Sequence, residues 1–309
     1  MIEFDVVEKF YAGQRVLGRL SLTVPDGALC VLVGPSGCGK STTLKMINAL
    51  IRPDAGKVLV QGKPVDTHSA ETLRRGIGYV IQSGGLFPHW RVRDNIAAVP
   101  RLLRWDEQRI AARINELAEI VEIDRTLLDR FPHQLSGGQQ QRIGVARALA
   151  ADPAIILMDE PFGALDPVTR AALQRELARL HRDTGKTIVL VTHDMDEALA
   201  LGTMIVVMNK GEIAQSGTPA EILAQPRNDF VRDFVGGADA MMKLLEFRKA
   251  GELVRPGGAS GKPVPASATL RSALTSMVGS GRTVLPVEDE SGTVIGAVHV
   301  EDIIAAGRP

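Results

Sequence analysis

Residues 29–42 read LCVLVGPSGCGKST, a five-residue apolar run followed by nine residues that hold three glycines and a lysine. Backbone N–H groups bind a phosphate well only where the chain wraps closely around it, and side chains at the glycine positions would block that approach. A helix starting near Lys40 adds its positive dipole end, Lys40 supplies a mobile cation for the β- and γ-phosphates, and Ser41 offers a hydroxyl to Mg²⁺. The stretch therefore predicts a nucleotide-binding loop between a buried strand and a helix. The residues expected to contact the nucleotide here are Gly34, Ser36, Gly37, Cys38, Gly39, Lys40, Ser41 and Thr42.

Three further apolar runs, at 77–82, 154–158 and 187–191, are the other candidate strands. The last two read AIILM and TIVLV, a composition typical of strands buried on both faces of a parallel sheet. Between such runs lie helical patterns: leucines recur at 173, 177 and 180 as one apolar stripe on an otherwise charged segment. Strands that alternate with helices predict an α/β fold.

A pair of carboxylates ends one of these strands, because IILMDE places Asp159 and Glu160 directly after the apolar run. A nucleotide site of this kind needs a carboxylate at the end of a neighbouring strand, and Asp159 is predicted for the Mg²⁺ shell. Glu160 is predicted to be the general base that orients or deprotonates the attacking water. A simple strand-end cap is the alternative for Asp159, but it gives no reason for Glu160.

The overall composition limits what else the chain does. Its 309 residues leave room for one full domain and a smaller one, and its 36 basic and 36 acidic residues balance, so no basic field favours nucleic acid. Cys30 and Cys38 are too few for a metal cluster and are interpreted as free thiols in a reducing compartment. There is no secretory signal pattern and no apolar run near the ~18 residues that span a bilayer, so we expect a soluble, cytoplasmic chain.

A second glycine-rich motif indicates which class of nucleotide-binding protein this is. Residues 135–149 read LSGGQQQRIGVARAL, and this long signature resembles that of the ATP-binding subunits of ABC transporters. The resemblance implies a P-loop NTPase of the ABC ATPase type, with a RecA-like core and antiparallel β and helical subdomains. It also implies that two subunits pair head to tail, so that the LSGGQ motif of each covers the γ-phosphate held by the other. The motif residues expected at this composite ATP site are Ser136, Gly137, Gly138 and Gln139.

Four more residues match family positions. Tyr11 resembles the aromatic residue that stacks on adenine, with an ordinary half-exposed strand tyrosine as the alternative. Gln82 matches the glutamine that reaches Mg²⁺ and the attacking water, and Asp166 matches the aspartate that lies across the dimer interface. His193, in VTHD, matches the histidine that contacts the γ-phosphate, although a lone histidine is more often inert.

The resemblance also implies partners. An ABC ATPase without a membrane span works with separate permease subunits, and through them with a solute-binding protein, at the cytoplasmic face of the inner membrane. Phe87, Pro88 and Trp90 resemble the segment that a permease helix contacts; burial in the core is the alternative. An ABC ATPase of DNA repair or translation would need two fused units, a coiled-coil insertion or a basic surface, and a P-loop kinase gives no reason for LSGGQ.

Three stretches are similar to the ATPases of osmoprotectant importers, which carry glycine betaine, choline, carnitine or proline betaine: residues 77–105, 230–247 and the C-terminal tail. The tail, 269–304, resembles a CBS motif, a small α/β unit. Such motifs normally occur in pairs, and the adenosyl-binding versions carry Ser or Thr where this chain has His299, three residues before Asp302. These departures argue against adenosyl sensing and leave regulation by charge, subunit pairing and a structural cap as open alternatives.

The Pro- and Gly-rich stretch 255–268 predicts a linker before this tail. The expected domains are an ABC ATPase nucleotide-binding domain over 1–237, a helical extension and linker over 238–268, and a single CBS-like motif over 269–309.

Overall fold

The computed structural model describes residues 1–67, 69–81, 85–163 and 165–307. The chain folds into two compact units, Met1–Ser216 and Gly217–Pro309. The expected domain limit at residue 237 lies inside the second unit. Within the described ranges, no helix is both long and apolar enough to cross a membrane.

The first unit contains ten strands and seven α-helices among its described residues. The strands are β1 (Ile2–Tyr11), β2 (Gln14–Val24), β3 (Leu29–Val33), β4 (Ala55–Val60), β5 (Lys63–Pro64), β6 (Ile77–Val80), β7 (Ile155–Asp159), β8 (Thr187–Thr192), β9 (Met204–Asn209) and β10 (Glu212–Gly217). The helices are α1 (Lys40–Ile47), α2 (Ala70–Arg75), α3 (Val92–Leu102), α4 (Glu107–Ile120), α5 (Gly137–Leu149), α6 (Pro167–Thr184) and α7 (Met195–Leu201).

A six-stranded sheet forms the centre of this unit, in the order β10-β9-β3-β8-β7-β6. The pairs β9–β3, β3–β8, β8–β7 and β7–β6 are all parallel. Every residue of β3, β7 and β8 is buried, as expected for strands covered on both faces. The predicted α/β fold is therefore confirmed, and the carboxyl ends of β3, β7 and β8 meet at one edge of the sheet.

A second, four-stranded sheet has the order β2-β1-β4-β5, and its pairs are antiparallel. Its apolar side chains share one core with β3 and α1, in which Ile2, Leu17, Leu32 and Leu44 are fully or almost fully buried. This shared core holds α1, the helix that follows the glycine-rich loop, between the two sheets. The predicted apolar stripe on α6 is also buried.

The second unit contains α8 (Pro219–Ala224), α9 (Asp229–Phe234), α10 (Ala240–Leu244), β11 (Val264–Pro265), α11 (Leu270–Ser280), β12 (Val284–Glu288), β13 (Val294–His299) and α12 (Val300–Ala306). Its sheet has the order β11-β12-β13, with β11 parallel and β13 antiparallel to β12. Part of the predicted linker joins this sheet, because Val264 pairs with Val287 and Arg255 pairs with Ala297. The core of the unit includes Leu270, Met277, Leu285, Val298 and Ile303.

Candidate nucleotide-binding site

The glycine-rich loop connects the carboxyl end of β3 to the first turn of α1. Gly34 has φ 154°, and a Cβ atom there would lie 2.2 Å from the backbone oxygen of Met208 on β9, so only glycine allows this close approach. Gly39 caps α1 in the left-handed conformation. The loop therefore exposes its middle, Ser36 and Gly37, while both of its ends are fixed against the sheet and the helix.

Lys40 lies inside this loop. Its side chain is buried, and Nζ donates to the backbone oxygens of Gly34, at 2.7 Å, and Pro35, at 2.9 Å. The ammonium also lies 3.8 Å from Sγ of Cys38. Burial raises the pKa of the Cys38 thiol, and the positive charge of Lys40 partly opposes that shift. The loop thus holds a buried cation at the helix start, which suits it to a phosphate.

Ser41 and Asp159 meet at the end of β7, as the motifs predict. Ser41 Oγ donates to Asp159 Oδ1 at 2.7 Å, and Lys45 Nζ lies 3.6 Å from Asp159 Oδ2. Asp159 is 4% exposed. Burial, together with the negative charge of Asp159, raises the pKa of Tyr79 to about 12. The buried Asp159 carboxyl therefore has the hydroxyl of Ser41 and the ammonium of Lys45 beside it.

These two oxygens fit Mg²⁺, which prefers oxygen ligands and usually takes only one or two from the protein, the others coming from phosphates and water. Across the ranges that the structure describes, no group of three or more His, Cys, Asp and Glu residues could hold a metal by itself. Gln82, the third predicted metal ligand, lies outside the described residues.

Glu160 and His193 come together because β7 and β8 are neighbours. Glu160 Oε2 lies 3.9 Å from His193 Nδ1, and the Glu160 N–H donates to the oxygen of Val191 at 3.0 Å. Glu160 adopts φ 47°, which turns the chain sharply at the strand end. The His193 side chain is 60% exposed and that of Glu160 is 25% exposed. A carboxylate and an imidazole therefore face solvent together, one residue beyond the buried Asp159.

The LSGGQ motif begins α5. Ser136 Oγ accepts from the Gln139 N–H at 3.3 Å, and Gln139 Oε1 accepts from the Ser136 N–H at 3.0 Å, which is a reciprocal cap. Gly137 is exposed, and a Cβ atom there would contact nothing. The start of α5 is therefore an open helix N-terminus with a fixed shape, able to receive an anion.

The start of α6 lies beside that of α5. Asp166 accepts from the N–H groups of Val168, at 3.1 Å, and Thr169, at 3.0 Å. A hydrogen bond from the Thr169 side chain, and then these backbone bonds, lower the pKa of the Asp166 carboxyl. A Cβ atom on Gly138 would lie 2.8 Å from Cγ2 of Thr169. The predicted signature and Asp166 segments are thus in contact within one chain.

Tyr11 and Thr42 complete the predicted nucleotide contacts. Tyr11 ends β1 with 45% of its surface exposed, and Lys9 Nζ lies 5.3 Å from the centre of its ring. Thr42 is half-buried in the first turn of α1. A free aromatic face and the glycine-rich loop therefore both belong to the first unit.

An exposed aromatic pair precedes α3. Phe87 and Trp90 are 42% and 36% exposed, and their ring centres are 4.6 Å apart. Asn95 is buried, accepts from the Phe87 N–H at 2.8 Å and donates to the Trp90 oxygen at 3.2 Å, so the segment is held in shape from below. The rings border a mostly apolar groove of about 490 Å³, whose lining includes Ile77, Tyr79, Ile81, Ala98, Val99 and Leu102.

Sequence reasoning missed Lys45, Asn95 and Glu197. Lys45 lies four residues after Ser41 on α1, so its side chain shares the face that meets Asp159. Glu197 is buried on α7, where its Oε2 accepts from Thr192 Oγ1 at 2.6 Å, and burial raises its pKa. The spacing of Lys45 from Ser41 could have predicted its position, whereas nothing in the sequence indicates the partners of Asn95 and Glu197.

Comparisons with known proteins indicate the same class of nucleotide-binding protein that the geometry of the site indicates. A family model described as ABC transporter matches residues 17–163. The chain is 50% identical over 305 residues to the glycine betaine uptake system ATP-binding protein YehX of Escherichia coli (strain K12), covering 98% of this chain and 99% of that protein. It is 45% identical over 306 residues to the glycine betaine/carnitine/choline transport ATP-binding protein OpuCA of Bacillus subtilis (strain 168), covering 98% of this chain and 79% of that one.

Among solved structures, the chain resembles the dimeric, post-hydrolysis state of the ATP-binding cassette MJ0796 bound to ADP and phosphate. The TM-score is 0.65 at 32% identity, over 71% of this chain and 99% of that one. The site combines two glycine-rich helix starts with paired carboxylates at a strand end, and the sequence match covers 98% of the chain. Both observations assign the chain to the same family. The chain belongs to the ABC transporter family, among its ATP-binding proteins.

Proposed function

We propose that this chain is the ATP-binding and ATP-hydrolysing subunit of an importer for a quaternary ammonium osmoprotectant such as glycine betaine, choline or carnitine. The observation that carries the proposal is the 50% identity to a glycine betaine uptake protein over 98% of the chain, which includes the tail as well as the nucleotide-binding residues. Importers of other small solutes remain the alternative, since the solute itself contacts other subunits.

In this proposal the triphosphate lies along the glycine-rich loop. Lys40 exchanges its bonds to the Gly34 and Pro35 oxygens for bonds to phosphate oxygens, at a helix start that already favours anions. Ser41 and Asp159 would hold Mg²⁺, together with Gln82 as the family resemblance suggests. When bound, the ion neutralises negative charge on the phosphates.

Glu160 and His193 would act at the γ-phosphate end. Glu160, partly exposed beside the buried Asp159, orients or deprotonates the attacking water, and His193 contacts the γ-phosphate. Their separation of 3.9 Å lets both reach one small region. Tyr11 would stack on adenine at the other end of the nucleotide.

ABC ATP-binding cassettes dimerise, and we propose that a second copy completes each site. As the family resemblance suggests, the open helix start at Ser136 and Gly137 would cover the γ-phosphate held by the partner subunit. Asp166 would lie in the same interface, since its helix start contacts Gly138.

ABC ATP-binding subunits of importers work with permease subunits in a membrane. For this chain we propose that the groove beside Phe87 and Trp90 receives a permease helix at the cytoplasmic face, with a solute-binding protein engaged only through the permeases. Two exposed rings that contact each other, with their planes tilted by 43°, border an apolar groove of about 490 Å³, and this favours such a contact over a core role. We keep 1–237, 238–268 and 269–309 as the functional divisions of the chain, the last as a CBS-like unit.

The decisive experiment is uptake of labelled glycine betaine into vesicles that hold the complete transporter, with ATP supplied to the subunit. Glu160→Gln should keep ATP binding and abolish hydrolysis and uptake, because an amide retains the shape and loses the base. Glu116→Gln, an exposed position on α4, is the control and should behave as wild type. Hydrolysis by Glu160→Gln at the wild-type rate would refute the catalytic assignment, and wild-type ATPase activity without uptake of any quaternary amine would refute the substrate class.

A further inference from the structure

The exposed ring of Tyr11 carries a cation on one of its faces. Lys9 Nζ lies 5.3 Å from the ring centre and 2.9 Å from Asp54 Oδ1. The Lys9 side chain is 14% exposed, so the ammonium is held in place. An ammonium over an aromatic face is attracted by the negative charge of the π-system. A planar base therefore has only the opposite face of Tyr11 on which to stack.

Asp54 holds this arrangement together from three sides. Its Oδ2 accepts from the Phe10 N–H at 2.7 Å, its own N–H donates to the Glu8 oxygen at 2.9 Å, and its Oδ1 bonds Lys9. The Phe10 N–H and then Lys9 lower the pKa of the Asp54 carboxyl, so it stays ionised at neutral pH. The last three residues before Tyr11 are thus all tied to one carboxylate residue.

The loop that carries Asp54 is an extension of α1. The N–H groups of Leu50 and Ile51 both donate to the Lys45 oxygen, at 2.9 and 3.1 Å. Arg74 donates to the oxygens of Asn48 and Ala49, at 3.0 Å each. Hydrogen bonds therefore fix residues 48–51 against the helix that starts at Lys40, and three residues further along the chain Asp54 is hydrogen-bonded to the strand end that carries the ring.

We infer that Lys9 and Asp54 are positioning residues for the purine base. They fix the plane of Tyr11 relative to the phosphate-binding loop, and Lys9 closes one face of the ring so that adenine stacks on the other. This rests on the proposed role of Tyr11 in adenine binding. Because Lys9 and Asp54 contact the strand end and the Tyr11 ring, their contribution belongs to the base and not to the triphosphate.

The test is isothermal titration of the purified full-length subunit with Mg-ATP and, separately, with Mg-tripolyphosphate, which has no base. Lys9→Met keeps the aliphatic stem and loses the charge. It should weaken ATP binding by up to about fivefold, because the energy of an exposed cation–π contact is the upper limit of what orienting the ring contributes, and it should leave tripolyphosphate binding unchanged. Lys9→Arg should restore ATP binding. The matched control is Lys186→Met, because the Lys186 side chain is 13% exposed and pairs with Asp152 at 2.7 Å. This variant should bind both ATP and tripolyphosphate with wild-type affinity.

Each outcome decides the matter. If Lys9→Met binds ATP with wild-type affinity while Tyr11→Ala binds ATP more weakly, the role of Lys9 is overturned and the proposed role of Tyr11 stays intact. Unchanged ATP affinity in Tyr11→Ala overturns adenine stacking itself, and this inference with it. An equal loss for ATP and tripolyphosphate in Lys9→Met also overturns the inference, since it would mean a general distortion of the site. Asp54→Asn should reproduce the base-specific loss, because the amide weakens the bond to Lys9 but still accepts from Phe10.

Discussion

Gly34→Ala tests how the phosphate-binding loop is fixed to the sheet. The new Cβ would lie 2.2 Å from the Met208 oxygen, where real Cβ contacts essentially never fall below 3.0 Å, so the two segments must separate by at least 0.8 Å. Met208 is fully buried on β9 and has little room to move. Overpacking of this kind costs roughly 1–3 kcal/mol, and a side chain at positive φ adds about 1–2 kcal/mol.

Gly37→Ala is the matched variant, because Gly37 lies in the same loop at φ 78° and a Cβ atom there meets nothing within 4 Å. It should show only the backbone cost of about 1–2 kcal/mol. The difference between the two variants, roughly 1–3 kcal/mol, corresponds to an unfolding temperature about 2–10 °C lower for Gly34→Ala. Thermal unfolding followed by circular dichroism measures it. If both variants unfold at the same temperature, the contact with Met208 does not constrain the loop.

Three further outcomes test other parts of the chain. Lys40→Ala should lose ATP binding, whereas Ser136→Arg should keep ATP binding and lose hydrolysis. Mixing the two variants should restore part of the ATPase rate. Equal loss of ATP binding in both variants would contradict a two-subunit site. Trp90→Ala should reduce retention of the subunit by permease-containing membranes more than it reduces ATP binding, and unchanged retention would argue against the groove as the docking surface. Burial raises the pKa of Glu176 from 4.5 to about 7, with Glu122 adding to the shift, so the folded chain binds more protons than the unfolded chain between these values. The unfolding temperature should therefore fall as pH rises from 4.5 to 7 and then level off, and Glu176→Gln should flatten that slope; an unchanged slope would reject the shift.

Local patterns in the sequence identified β3, β6, β7 and β8, but not the order of these strands in the sheet or the other strands of the first unit. The apolar runs that became β3 and β8 predicted strands covered on both faces, because burial of both faces leaves no polar position. That β3 lies between β8 and β9 depends on packing between segments more than 150 residues apart, which no local pattern encodes. The same limit applies to β11, since a two-residue strand has no periodicity to read.

The site was predictable where a motif fixes both the residue and its neighbour. Ser41 and Asp159 lie in separate motifs with known strand contexts, and the structure brings them to 2.7 Å. Asn95 and Glu197 were not predictable, because a polar side chain on a helix is read as solvent-exposed unless its buried partner is known. Their burial depends on the loop before α3 and on Thr192, neither of which stands out in the sequence.

The strand order also governs when the nucleotide site can form during synthesis. Both neighbours of β3, β8 and β9, lie in the last part of the first unit and end at Thr192 and Asn209. At the ~5–20 residues per second of translation, the strand that leads into the phosphate-binding loop has neither of its pairing partners for on the order of ten seconds or more after it is made. Both of its edges are open to other strands in that interval. We therefore expect the ability to bind ATP to appear late, after β8 and β9 have been added, and to report completion of the first unit better than secondary structure content does.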